Sequence, residues 1–290
     1  MRKMFGDGGS GMSRMTRRLL LAGVLAFVLA FAAGCGGSSS GSGGSESGSG
    51  ESGGGTSGGG GSVPDQVTVA SNIAYPPFEF NEGGQPTGFD IELMRAIGER
   101  AGFEVDFQNV RFDGIVQGLA SGQYEMAISA MTITPERQEQ VAFSEPYFNA
   151  DQSLLVQQGS GIQSTDDLGE AIVGVESGTT GALEAQELEE TGGVGDVRTF
   201  NTITDAFNAL DNGQIDAVIN DFPVSQDRVE QSEGLEIVQN IPTGEQYGIA
   251  FPEDSELVQP VNEALAEIKE DGTYAEIYEK WFGQEPEQIP

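Results

Sequence analysis

Leu119-Ala120-Ser121-Gly122-Gln123-Tyr124-Glu125-Met126-Ala127-Ile128 aligns without a gap on Leu210-Asp211-Asn212-Gly213-Gln214-Ile215-Asp216-Ala217-Val218-Ile219. Both stretches keep Leu, Gly, Gln, an acid and Ile in the same places, and both read as a helix end, a glycine stop and a strand. Two readings follow: a turn unit common to α/β proteins, or two homologous-looking lobes that face each other. Outward from the first copy, Val67 to Ala70 reads as a short buried strand. The prolines of Tyr75-Pro76-Pro77-Phe78 end it in a rigid loop. Asp90 is placed to cap a helix carrying Ile91, Met94, Ile97 and Ala101 at helical spacing, with Gly102 as its stop. A strand through Val105 and Phe107, a helix over Asp113 to Ser121 and a strand over Met126 to Ala130 come next. Thr134 is then the N-cap, and Pro135 the first residue, of a further helix.

The second half repeats the alternation: strand Ala171 to Val175, turn Ser177 to Gly181, helix Ala182 to Glu190, strand Val197 to Phe200, a helix from Thr204 and strand Asp216 to Asn220. A strand over Tyr247 to Phe251 and helices over Ser255 to Glu270 and Thr273 to Phe282 complete the chain. Strands alternating with helices imply α/β architecture, mainly parallel sheets covered by helices.

Of 290 residues, 13 are Lys or Arg and 46 Asp or Glu, a formal charge of -33. The first 34 residues hold five of the bases and one of the acids, leaving 8 basic against 45 acidic side chains beyond them, or -37. Such a field repels phosphate backbones, so nucleic acid is not an expected partner. It also fits a solubility adaptation to salty surroundings. The absence of histidine removes His-dependent triads, most zinc sites and the commonest general base, so no catalytic residue, metal or cofactor is expected. The single cysteine, Cys35, rules out an intramolecular disulfide.

Arg14, Arg17 and Arg18 precede the apolar run Leu19 to Ala33, too short for a comfortable membrane span and suited to a signal peptide over residues 1–34. Thr16-Arg17-Arg18-Leu19-Leu20-Leu21 loosely resembles a twin-arginine signal, and Met12 and Met15 are alternative starts. Ala32-Ala33-Gly34-Cys35 resembles the lipobox of bacterial lipoproteins, with Ala32 where Leu is usual, and implies acylation of Cys35. Gly36 to Ser62 is almost wholly Gly and Ser, a flexible tether reaching on the order of 30 Å. The expected product is a signal-bearing lipoprotein held at the outer face of the cell membrane.

Several stretches in order resemble the polar amino-acid binding proteins of ABC importers, the extracellular solute-binding proteins of family 3. These include glutamine-, histidine- and lysine/arginine/ornithine-binding members. The stretches are Tyr75 to Phe80, Gly88 to Leu93, Phe112 to Ile115, Thr132 to Arg137, Phe143 to Tyr147, Ser177 to Thr180, Tyr247 to Pro252, and Gly272-Thr273-Tyr274 onward to Trp281-Phe282. The resemblance implies a two-lobe periplasmic-binding-protein fold of type II, each lobe a mainly parallel sheet flanked by helices. Lobe 1 would take residues 63–148 and 247–290, and lobe 2 residues 149–246. Crossovers near Phe148 to Gln152 and Pro242 to Tyr247 would form the hinge. It also implies a monomer that hands its ligand to a membrane permease and ATPase.

Under that resemblance, a free amino acid would sit beyond the strand ends, between the lobes. Arg137 would grip its carboxylate bidentately. Ser129, Ala130, Thr132, Thr179 and Thr180 would add donors, and Asp221 would take the ammonium. Tyr75 and Phe112 would sandwich the side chain, with Asn72, Glu176 and Asn220 around it. Glutamine-binding relatives carry an acid in place of Asn72 and a lysine in place of Glu176. Arginine, lysine or ornithine is therefore expected first and glutamine second. Each residue also has a structural alternative: a surface ion pair of Arg137 with Glu136 or Glu139, capping by Asp221, core packing for Tyr75 and Phe112, helix capping by Thr179 and Thr180. The rival functions are a cyclohexadienyl dehydratase-like enzyme using Glu176 as its acid, and a ligand-sensing module.

Overall fold

The computed structural model describes residues 63–290; the expected signal segment, Cys35 and the tether lie outside the described residues. In chain order the strands and helices are β1 (Gln66–Ser71), β2 (Phe80–Glu82), β3 (Gln85–Thr87), α1 (Phe89–Ala101), β4 (Glu104–Asn109), α2 (Ile115–Ala120), β5 (Met126–Ala127), α3 (Pro135–Gln138), β6 (Val141–Phe143) and β7 (Phe148–Gln157). There follow β8 (Ile172–Glu176), α4 (Thr180–Glu190), β9 (Asp196–Phe200), α5 (Ile203–Asp211), β10 (Ala217–Asp221), α6 (Phe222–Gln231), β11 (Leu235–Tyr247), β12 (Ala250–Pro252), α7 (Val258–Glu270) and α8 (Thr273–Phe282).

Two five-stranded sheets result, ordered β4-β1-β5-β12-β6 and β9-β8-β10-β7-β11. Each begins with three parallel strands, continued by antiparallel ones. The chain enters the second sheet through β7 and leaves it through β11, and these two strands pair along their length, from Phe148 opposite Tyr247 to Gln157 opposite Leu235. Patterning did not show this pair, because β7 is interrupted by Asn149, Asp151, Gln152 and Ser153 before its apolar Leu154-Leu155-Val156; only the resemblance pointed to its ends.

The internal repeat is a structural repeat. Gly122 and Gly213 end their helices at φ 71° and 65°, left-handed values that a residue with a Cβ adopts only at a cost. The acid that follows pins the neighbouring parallel strand. Glu125 Oε2 accepts from Thr68 N at 3.0 Å, and Asp216 Oδ2 accepts from Ile172 N at 2.8 Å.

Two expectations change. Met126 to Ala130 is a strand only as far as Ala127, after which the chain turns and Ala130 takes φ 43°. Asp90 does not cap α1: that position belongs to Gly88, whose φ of 125° and contact with the Phe78 carbonyl leave no room for a side chain. Asp90 instead lies fully buried, where Oδ2 accepts from the Ala130 N–H at 2.8 Å and the Tyr147 hydroxyl at 2.7 Å. A carboxylate in the first turn of α1 thus holds a strained turn of another segment, a long-range bond that local patterning could not reveal. Shorter adjustments are ordinary end effects: the Asp113 helix begins as a 3-10 turn at Phe112–Gly114, and the helix expected from Ser255 starts at Val258.

Candidate functional site

The carboxyl ends of β1, β5, β8 and β10 converge on one narrow cleft between the sheets, its walls close together. Its walls include eleven of the twelve predicted residues: Asn72, Tyr75, Phe112, Ser129, Ala130, Thr132, Arg137, Glu176, Thr179, Thr180 and Asp221. Asn220 does not line it and stands behind, its Oδ1 2.9 Å from the Tyr75 hydroxyl. Glu79 lines it and was not predicted. No local signal gave it a site role, because its burial comes from the fold.

Arg137 is set by its own short helix. Thr134 caps α3 by accepting from Arg137 N, and Pro135 opens it. The guanidinium turns inward: Nη1 donates to the Thr132 carbonyl at 2.5 Å and Nη2 to the Gly178 carbonyl of the opposite lobe at 3.0 Å. Its carbon lies 5.3 Å from the centre of the Phe112 ring, within cation–π range. These bonds replace the surface pairing with Glu136 or Glu139. Burial lowers the Arg137 pKa, opposed by the charges of Asp221, Glu245 and Glu136.

Asp221 occupies the residue before α6 but makes no cap bond. Its carboxylate instead accepts from the Tyr75 hydroxyl at 2.7 Å, from the Tyr247 hydroxyl and from the Gln152 amide. Burial pushes its pKa up to about 6, against the pull of these donors. Thr179 both caps α4, accepting from Ala182 N at 3.1 Å, and faces the cavity. Beside it, the first N–H groups of α4 lack intrahelical partners and carry the positive end of the helix dipole.

Glu176 ends β8. One of its oxygens accepts from Asn72 Nδ2 across the cleft at 2.7 Å, and the other from Ile203 N at 3.0 Å. Burial raises its pKa to about 8 despite the Ile203 N–H, with Asp221 adding repulsion. Glu79 accepts from Ser129 Oγ at 2.8 Å, and that same oxygen accepts from Asn72 N at 2.9 Å. Burial, then the neighbouring Asp90, holds the Glu79 pKa well above the usual carboxylate range. Burial likewise raises the pKa of Asp90, to about 6, against the pull of the Ala130 N–H and the Tyr147 hydroxyl. The turn carrying Ser129 and Ala130 is thus held by two buried acids, Ser129 Oγ on Glu79 and Ala130 N on Asp90.

One guanidinium and three buried carboxyl groups therefore face a common space, with aromatic faces and a helix N-terminus around them. The model of bacterial extracellular solute-binding proteins, family 3, matches residues 67–284. The chain belongs to that family. It is 34% identical over 267 residues to the arginine-binding extracellular protein ArtP of Bacillus subtilis, covering 91% of this chain and 96% of that protein. The arginine-, lysine-, histidine-binding protein ArtJ of Geobacillus stearothermophilus superposes with a TM-score of 0.72 at 37% identity, covering 77% of this chain and 97% of that one. An ancestral arginine-binding protein bound to arginine gives 0.73 at 42%, covering 76% and 99%. These relatives are binding proteins rather than enzymes, and members of this family act outside the cytoplasm. The fold is accordingly the two-lobe, type II periplasmic-binding architecture.

Proposed function

We propose that this protein captures an L-amino acid with a cationic side chain, arginine, lysine or ornithine, by closure of two lobes over the interlobe cavity. The observation that carries this reading is the charge of the cavity wall: Arg137 alone against Glu79, Glu176 and Asp221. An amino acid zwitterion satisfies one pole each way, its carboxylate at Arg137 and its ammonium at Asp221. Two carboxyls are left over, and only a positive side chain would let them ionise in a site from which water is excluded. An acidic side chain would add a third like charge. The amide of Asn72, already bonded to Glu176, makes glutamine the second choice. Glu176 is then a ligand contact rather than the acid of a dehydratase.

In this reading the lobes are 63–148 with 247–290 and 149–246, and β7 and β11 bend between them. Ligand seated on the first lobe gains further contacts from the second on closure, so it shifts the population toward the closed form. The protein would act as a monomer, anchored by lipid on Cys35 after signal cleavage, and deliver its ligand to an ABC permease and its ATPase. Calorimetric titration with the twenty amino acids tests the ligand, with dissociation constants expected between about 1 μM and 1 nM for arginine or lysine. Tight glutamate binding with no arginine binding would overturn the assignment. Cys35→Ser is expected to move the protein from the membrane fraction to the soluble one.

A further inference from the structure

Glu245 lies on β11, within the returning crossover, and was singled out by no sequence pattern. Its Oε2 accepts from Thr132 Oγ1 at 3.0 Å, Thr180 Oγ1 at 2.9 Å and Gln152 Nε2 at 3.2 Å. Thr132 belongs to the first sheet's side of the cleft, whereas Thr180 opens α4 and Gln152 lies on β7 of the second. One carboxylate oxygen thus ties both lobes and the hinge together. The two hydroxyls it draws on are those placed to donate to an incoming α-carboxylate, and a hydroxyl has one proton to give. While either threonine donates to Glu245, it offers the cavity only lone pairs. Gln152 extends the link, since the same Nε2 also donates to Asp221 on the ammonium side. The negative charge of Glu245 also acts on Arg137.

We propose that Glu245 is an internal stand-in for the ligand's carboxylate. It draws the lobes together through Thr132 and Thr180 before an amino acid arrives, and the ligand's carboxylate takes over those donors on binding. The inference rests on the reading of this cavity as an amino-acid site, but its first consequence needs no ligand. Small-angle scattering from the protein without amino acid is expected to show a larger radius of gyration for Glu245→Ala than for the wild type, with a smaller increase for the isosteric Glu245→Gln, whose amide oxygen still accepts. All three should converge when saturated with arginine. Because hydrogen bonds to charged groups are the strong ones, freeing two donors in Glu245→Ala should tighten arginine binding by roughly 3- to 10-fold, and Glu245→Gln, whose amide oxygen still accepts but without the charge, by less. Argininamide, which lacks the carboxylate, should gain less than about twofold, since only the carboxylate competes for those donors. Unchanged scattering in both variants would overturn the latch. Equal shifts for arginine and argininamide would reduce Glu245 to a hinge strut. A change in scattering with no binding of any amino acid would leave the latch standing and sink the reading of the cavity.

Discussion

The two lobes are built on one plan and end in opposite chemistry. Their sheets run in the same order, β4-β1-β5-β12 beside β9-β8-β10-β7, and the helix–glycine–strand unit is shared down to the acid that pins the next strand. Carrying the repeat two residues further sets Ser129-Ala130 against Asn220-Asp221. Aligning β1 on β8 by the strand residues that those acids hold sets Asn72 against Glu176, and these two side chains meet across the cleft. The same backbone positions thus face each other from both sides. In lobe 1 the strand breaks early and presents a turn, hydroxyls and Arg137. In lobe 2 it runs on and delivers a carboxylate. Equivalent scaffolds with unlike tips suit a ligand that is itself positive at one end and negative at the other.

The sharpest way to break this comparison is to remove one pole at a time. Taking one partner from a buried charge-paired contact costs about 2–5 kcal/mol. Arg137→Ala is therefore expected to weaken arginine binding by at least about 30-fold. Asp221→Asn, which keeps its shape and can still accept from Tyr75 and Tyr247, should cost less, on the order of tenfold or more. Calorimetry reads both; equal and small effects would show that the poles are not where the ligand binds.

The next effect is protonic and belongs to lobe 2. The folded pKa of Glu176 is raised to about 8 from 4.5, so its contribution to stability is complete below the unfolded value and disappears as pH rises through about 8. Asp221, raised to about 6 from 3.8, loses its contribution earlier in the same direction. The melting temperature of the protein without amino acid should therefore fall between pH 5 and 8.5, windows set by these shifts. Glu176→Gln should flatten the fall. A cationic ligand favours ionised Glu176, so binding at pH 7 should release up to about one proton, measurable as a buffer-dependent heat. Proton uptake, or no linkage, would exclude Glu176 from contact with a cation.

The smallest effect tests the repeat itself. Gly122→Ala and Gly213→Ala each force a Cβ onto a left-handed turn and should each destabilise by about 1 kcal/mol. Thermal unfolding that spares one and not the other would show that the units are not equivalent in folding.

Much of this was legible in the sequence because its signals are local. Glycine stops, the Thr134-Pro135 start, apolar spacing and the repeat each act within a few residues, and they placed most strands and helices near their observed bounds. The motif residues also gathered as expected, since their positions at strand ends and helix starts are set by that local order. Glu79, Glu245, Tyr147 and Tyr247 escaped because nothing near them in the chain explains them. Their partners, Ser129, Thr132 with Thr180, Asp90 and Asp221, lie between 26 and 113 residues away.

By itself the sequence determined the order of elements, the two-lobe plan and the residue types available to meet a zwitterion. The tertiary structure alone decided how those residues are used. It buried Asp90 under a strained turn instead of at a cap, stationed Asn220 behind Tyr75, and brought Glu245 to the threonines of both lobes. The physical reason is that a side chain's protonation and hydrogen-bonding role depend on what surrounds it in space. Only the packing of distant segments fixes those surroundings.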